Sequence, residues 1–262
     1  MNSLHYIGVS GMGSREQQTE SLNAFEESGL RELGRTMLIG VKATTRIQVD
    51  ETEASRGSNW YPVGDSLRKI LRRSDSVNAL QLYADDWTDL SERALPLMNR
   101  SIERSEDWLD GLQFDMLPWF EEDSSLQIIK QYAPKVAGPV ILQCYGDIMR
   151  SQPAEAVIER LRHVEGFVSH VLFDASEGRG ELMDPDALCV WVEALQASDL
   201  DMAPVIAGGL SAESVRTLLP AITRRFDDVS WDAESSLHTD DVLDTKKVAE
   251  YFTASTEVLR SK

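Results

Sequence analysis

Three short apolar runs in the last third of the chain most constrain its fold. Val171-Leu172-Phe173-Asp174, Ala203 through Leu210, and Asp227 through Asp232 each end in polar or glycine residues, and a helical pattern follows each. Buried strand, special loop and helix, repeated at intervals of about thirty residues, is how a parallel sheet builds a site at the carboxyl ends of its strands. The pattern locates a site without naming its ligand.

Extending the same reading to the whole chain gives eight strand–helix units. Strands are expected at 6–10, 37–42, 77–83, 111–115, 139–144, 169–174, 203–207 and 228–231, with helices at 14–28, 65–73, 153–163, 185–197 and 245–253. Asp184-Pro185 supplies an N-cap with proline at the first helical position, and Ser211 can cap the helix after Gly208-Gly209. The longest loop, 43–64, holds Gly57-Ser58-Asn59 and Trp60-Tyr61-Pro62, and a loop of that length reads as a lid or binding loop. The 262 residues suit a single (β/α)8 TIM barrel or a large doubly wound sheet. Eight units and a closing helix favour one barrel domain spanning 1–262.

Charge narrows the partners. With 26 Lys and Arg against 44 Asp and Glu the net charge is −18, a field that repels nucleic acid and acidic membrane surfaces. Seven lysines stand beside nineteen arginines and 22 aspartates, a balance that suits either a salt-rich cytoplasm or a GC-rich genome. No apolar run approaches eighteen residues, and the first residues lack a basic segment and cleavage pattern. Cys144 and Cys189 lack metal-ligand spacing and read as reduced thiols. A cytoplasmic protein is expected.

At the mouth of such a barrel would lie Ser10, the loop after Lys42 with Arg46, Asp115, Cys144 with Asp147, Asp174, Gly208-Gly209 and Trp231-Asp232. Carboxylates converging on one cavity repel one another, and burial adds to a raised pKa for at least one. The alternative is that each aspartate ends a strand and caps the next turn. Gly208-Gly209-Leu210-Ser211 offers close backbone approach and a helix N-terminus, which suit a phosphate or carboxylate, or equally a tight turn. Arg46 and Arg179 are the cationic partners such an anion would need, unless both are solvated. The histidines His5, His163, His170 and His238 lack pairwise ligand spacing, and no nucleotide or nucleophile-elbow motif occurs in a suitable context, so neither a metal nor a cofactor is expected. Trp231, at a strand end, could stack on a ligand or belong to the core.

These motifs resemble the phosphoribosylanthranilate isomerase family of tryptophan biosynthesis. Gly8-Val9-Ser10-Gly11-Met12 with Arg15-Glu16 is similar to its first strand and turn, Lys-Ile-Cys-Gly-Leu-Thr-Arg. Gly40-Val41 through Thr44-Thr45-Arg46 resembles its second strand, which ends in Ser-Pro-Arg. Leu172-Phe173-Asp174 with Gly178-Arg179-Gly180 resembles its Leu-Leu-Asp and glycine-rich loop, and Ala207-Gly208-Gly209-Leu210 its Ala-Gly-Gly-Leu. Asp228-Val229-Ser230 through Glu234-Ser235 follows its Asp-Val-Ser-Ser-Gly-Val-Glu. The likeness runs through the chain in order and is strong after about residue 165.

The resemblance implies a cofactor-free Amadori rearrangement of an aminoaldose phosphate. Asp174 would be the general acid, Arg46 would hold the aromatic acid, Gly208 and Gly209 would contact the phosphate, and Ser230 and Asp232 would fall on its other half. Two departures stand out. The family's catalytic base is a cysteine, and here Ser10 takes its place; an alcohol needs a neighbouring base, which Asp115, Cys144, Asp147 or Asp232 could supply. Trp231-Asp232 replaces Ser-Gly in the phosphate site, and a carboxylate about 4 Å from a phosphate costs on the order of 4 kcal/mol per charge pair at an effective dielectric near 20. The expected ligand is a small sugar-like anion, and the expected activity is an aldose–ketose isomerisation. A barrel that binds a small ligand or a protein partner without turnover is the alternative. Oligomeric state is left open.

Overall fold

A computed structural model of the chain describes residues 4–44, 61–62, 65–71, 74–83, 99, 102, 108–174, 176 and 184–262. Eight parallel strands close into a barrel in sequence order. They are β1 (Tyr6–Ser10), β2 (Thr36–Thr44), β3 (Val77–Tyr83), β4 (Gly111–Asp115), β5 (Val140–Tyr145), β6 (His170–Asp174), β7 (Ala203–Ile206) and β8 (Ser230–Ala233). β8 closes on β1 with Ile7 opposite Trp231, Gly8 opposite Asp232 and Val9 opposite Ala233.

The helices of the described residues are α1 (Arg15–Ser28), α2 (Asp65–Ile70), α3 (Asp123–Tyr132), α4 (Gly146–Ser151), α5 (Ala154–Leu161), α6 (Pro185–Ala197), α7 (Ala212–Thr223) and α8 (Thr245–Arg260). Their starts follow the sequence signals. Ser14 accepts from the Gln17 N–H, Asp184 from the Asp186 N–H, and Ser211 and Ser214 form a reciprocal capping box. A short hairpin of β9 (His238–Thr239) and β10 (Val242–Leu243) precedes α8. No helix among the described residues is long and apolar enough to cross a membrane.

Strand period two sorts the side chains into two cores. Tyr6, Leu38, Ala79, Ile141, Leu172 and Val205 form a small cluster inside the barrel, which is its floor. Their chain neighbours Ile7, Ile39, Leu80, Leu142, Phe173 and Ile206 face out and join the large sheet–helix core. Following the inward phase upward from the floor leads to Ser10, Lys42, Gln81, Gln113, Asp115, Gln143, Asp174 and Asp232. The same strands that are apolar at one end of the barrel are polar at the other.

β8 lies two residues later than the sequence reading of 228–231, and this changes what its side chains do. Trp231 faces the helices and not the mouth. It is buried, its indole N–H donates to Ser255 Oγ of α8 at 3.0 Å, and the Arg35 guanidinium lies 5.4 Å over its ring. Ser230, which the resemblance places at a phosphate, begins β8 at the opposite end of the barrel. It is buried beside the floor and its hydroxyl accepts the Tyr6 N–H at 2.9 Å. Alternation along the strand turns Trp231 outward and Ser230 inward, and the later start of β8 sets Ser230 at the floor and not at the mouth.

Candidate active site

The polar layer opens into a cavity of about 280 Å³ at the carboxyl ends of the strands. Ser10, Asp174, Gly208, Gly209 and Asp232 line it, as do Lys42, Gln81, Gln113, Asp115, Gln143 and Glu234. Five of the eight expected site residues therefore share one wall. Ser230 does not reach it. Arg46 and Arg179 lie outside the described residues, as does most of the loop 43–64.

Ser10 has a carboxyl group beside it. Its hydroxyl donates to Asp232, with Oγ at 3.0 and 2.9 Å from the two carboxylate oxygens, and accepts from Gln81 Nε2 at 2.8 Å. Room for this trio comes from glycine on the inward face. A Cβ on Gly8 would stand 2.7 Å from Asp232 Cγ, and one on Gly40 would overlap Ser10 Oγ and lie 2.9 Å from Gln81 Cδ. The other bases that the sequence offered to Ser10 are not near it. Cys144 faces the helix layer, where burial pushes its thiol up, and Asp147 is exposed beside Arg150.

Two carboxyl groups of the wall hold their protons near neutral pH. Burial pushes Asp232 up to about 8; the Ser10 hydrogen bond opposes this, and the Glu234 and Asp115 charges add to it. Burial pushes Asp115 up to about 7 against the Gln113 hydrogen bond and the Lys42 charge, with Glu234 and Asp174 reinforcing the rise. Gln113 Nε2 donates to Asp115 Oδ1 at 2.8 Å. Lys42 forms an ion pair with Glu234, which holds the ammonium above its usual range although burial pushes it down.

Asp174 is the carboxylate best supplied with donors. The Ser176 N–H and hydroxyl reach Oδ1 at 2.8 and 2.7 Å, and Gln143 Nε2 reaches Oδ2 at 3.2 Å. The carbonyl of the same glutamine accepts the Met116 N–H at 2.8 Å, so Gln143 ties the end of β4 to the end of β6. Met116 has φ 54°, a left-handed conformation that a residue with a side chain adopts at a cost of about 1–3 kcal/mol. That strain sits immediately after Asp115 and on the cavity wall. Across the mouth, Gly208 and Gly209 have φ 98° and 63°, and a Cβ on Gly208 would approach Asp174 Oδ1 to 2.9 Å. These glycines bring the backbone against the acid.

No family model matches the sequence, and no curated protein does. Solved structures do. The phosphoribosylanthranilate isomerase of Pyrococcus furiosus superposes with a TM-score of 0.58 at 17% identity, covering 97% of this chain and 99% of that one. That of Thermotoga maritima gives 0.59 at 11%, covering 96% and 98%. The barrel is phosphoribosylanthranilate isomerase-like. A tryptophan synthase alpha chain from Legionella pneumophila scores 0.57 at 10% identity, covering 99% and 92%. Barrels of different activity thus fit about equally well, so what the phosphoribosylanthranilate isomerase-like architecture establishes is the fold. Chemistry has to be argued from the wall itself.

The three glutamines are functional candidates that motif matching passes over. Gln81, Gln113 and Gln143 each sit inside an apolar strand, in phase with the residue that ends the strand inward: Tyr83, Asp115 and Tyr145. A single amide at the inward phase of three strands in succession is a signal the sequence carries. Lys42 and Glu234 are also missed, because their pairing joins β2 to the end of β8 across 192 positions. Among the described residues no group of three or more His, Cys, Asp or Glu side chains is arranged to hold a metal ion.

Proposed function

We propose that the protein is a cofactor-free acid–base isomerase of the aldose–ketose type, acting on a small sugar-like substrate. One observation carries this reading: Asp115, a carboxyl group that titrates at about 7, and Asp174, a carboxylate that accepts three hydrogen bonds, share one cavity wall. Efficient proton transfer needs a group whose pKa lies near the working pH, and it needs a donor and an acceptor on the same substrate.

The step is balanced without an external oxidant. A base takes the proton from the carbon beside the carbonyl while an acid gives a proton to the carbonyl oxygen, and an enediol forms. Asp174 then returns a proton to the former carbonyl carbon while the hydroxyl proton of the neighbouring carbon passes to the Asp115 carboxylate, which gives the ketose and restores both groups. Asp115 is assigned the donor's part. Asp174 is assigned the acceptor's part, the reverse of the role its resemblance implies, because three donors already fill the positions that suit a carboxylate. Ser10 and Asp232 are assigned to a substrate hydroxyl: the serine accepts or donates there while the aspartate holds its proton in reserve. Gln81, Gln113 and Gln143 position the substrate.

Hydrogen exchange in heavy water tests the reading without requiring the true substrate to be known. A panel of aldoses, including N-(5'-phosphoribosyl)anthranilate as the substrate named for the P. furiosus relative in fold, is incubated with the protein, and deuterium at the carbon beside the carbonyl is followed by NMR. Exchange with at least one sugar is expected, falling by about 10²–10⁴-fold in Asp115→Asn, with a decline in rate above pH 7 in the native chain that the variant lacks. A panel in which nothing exchanges above buffer overturns the isomerase.

A further inference from the structure

Resting on the isomerase reading for its location alone, we infer that this cavity takes an unphosphorylated amino sugar, a polyol that presents an ammonium and several hydroxyls. The anionic ligand suggested by the sequence meets the wrong wall. Among the described lining residues there are four carboxyl groups, Asp115, Asp174, Asp232 and Glu234, and one lysine, which is already paired with Glu234. A phosphate entering this space would face carboxyl groups first.

The hydrogen-bonding inventory points the same way. Gln81 and Gln113 are 1% and 3% exposed, both line the cavity, and each spends its amide N–H on a neighbour, Ser10 and Asp115 respectively. Each leaves its carbonyl oxygen buried with no hydrogen-bond partner. A buried acceptor left unpaired is costly, and the groups that repair it are donors. Three described donors of the wall are meanwhile committed: the Ser10 hydroxyl to Asp232, and the Ser176 hydroxyl and the Gln143 amide to Asp174. Two acceptors among the described lining residues thus lack a donor, and hydroxyl and ammonium groups are donors.

The helix that would serve a phosphate is also occupied. α7 begins with a capping box in which the Ser211 N–H donates to Ser214 Oγ at 2.7 Å and the Ser214 N–H to Ser211 Oγ at 3.3 Å, and Glu213 already stands in its first turn. Two of the N–H groups that an anion would use, those of Ser211 and Ser214, are answered from within the helix, and the Glu213 charge meets its positive end. An ammonium placed between Asp115 and Asp232 would instead convert two proton-holding carboxyl groups into ion-pair partners, so its binding expels protons.

Calorimetric titration of the full chain with glucosamine, glucose and a glucose phosphate separates the possibilities, and buffers of different ionisation heat count protons. Glucosamine is expected to bind about tenfold tighter than glucose, with proton release near pH 7, and the phosphate ester is expected to bind weakest. Asp232→Asn should remove most of the preference for glucosamine over glucose, and with it part of the proton release. Should Asp232→Asn fail to fold, the native ligand order and its proton count still decide. Phosphate ester binding as tightly as glucosamine, or binding without proton release, overturns the amino-sugar assignment. Because affinity is read here and exchange above, a panel in which nothing exchanges while glucosamine still binds with proton release would sink the isomerase and leave this inference standing.

Discussion

Asp232→Asn keeps the size of the side chain and an oxygen for the Ser10 hydroxyl, while removing a group that must give up its proton inside the protein as pH rises. In the folded chain that group titrates at about 8, far above an ordinary carboxyl. The folded state therefore holds a proton that the unfolded state has released, across the window from about pH 4 to about pH 8. Stability supplied by this carboxyl is complete below about pH 4 and is lost as pH climbs through about 8, at a slope approaching 1.4 kcal/mol per pH unit. Native protein should thus lose more melting temperature than Asp232→Asn between pH 5 and 8.5, and at pH 8.5 the variant should be the more stable by on the order of a few kcal/mol. Parallel melting curves across that range would mean that Asp232 ionises as a surface carboxylate does, contrary to its burial. Function and stability pull apart here: a wall of protonated acids suits proton transfer and weakens the fold in mild alkali.

At the scale of the element, β1 and β2 trade volume for chemistry. Gly40 faces inward beside Ser10 and Gln81, and the interior of a barrel has little freedom to retreat. Gly40→Ala should cost about 1–3 kcal/mol as an overpacked core position and should displace the Ser10–Gln81 contact. Urea unfolding reads the first effect, and any exchange activity reads the second. A variant as stable and active as the native chain would show that the polar layer yields easily, which its hydrogen-bonded network argues against. The elements themselves were legible in the sequence because apolar runs, caps and turn residues are local signals. β1, β3 and β4 fall on their expected ranges, as does α6. β8 was misplaced because Asp228-Val229-Ser230-Trp231 is as plausible a short strand as Ser230 to Ala233, and pairing with β1 is what decides. That two-residue displacement moved Ser230 from the mouth to the floor, and the alternation along the strand keeps Trp231 outward and puts Asp232 on Ser10. The Ser10–Asp232–Gln81 trio was illegible for a related reason, since it joins residues 222 and 71 positions apart. Closing the barrel is what makes them neighbours.

For the whole molecule, the net charge of −18 is a self-repulsion that a handful of surface pairs does not cancel. Arg216 with Glu257, Arg225 with Glu193 and Arg162 with Asp199 lie at 2.6, 3.1 and 2.7 Å, yet exposed pairs of this kind contribute about 0–1 kcal/mol each. The surplus carboxylates remain, and screening is the remedy left to the solvent. Sodium chloride shortens the Debye length from about 30 Å at 0.01 M to about 10 Å at 0.1 M and about 3 Å at 1 M. If surface repulsion is worth about 1–2 kcal/mol, melting temperature should rise by about 2–8 °C over that range, since each kcal/mol moves a domain near this size by about 2–4 °C. The shape of the rise carries the argument. Screening saturates once the Debye length falls below the spacing of the charges, so most of the gain should arrive before about 0.5 M. A melting temperature that climbs steadily to molar salt would point instead to a surface built for a salt-rich cytoplasm, in which hydrated salt takes part in the folded state, and would give the scarcity of lysine its cause. A melting temperature indifferent to salt would mean that the charges are already too dispersed to repel. In that case the acidic cavity, where Asp115, Asp174 and Asp232 are buried, would be the place where this composition acts.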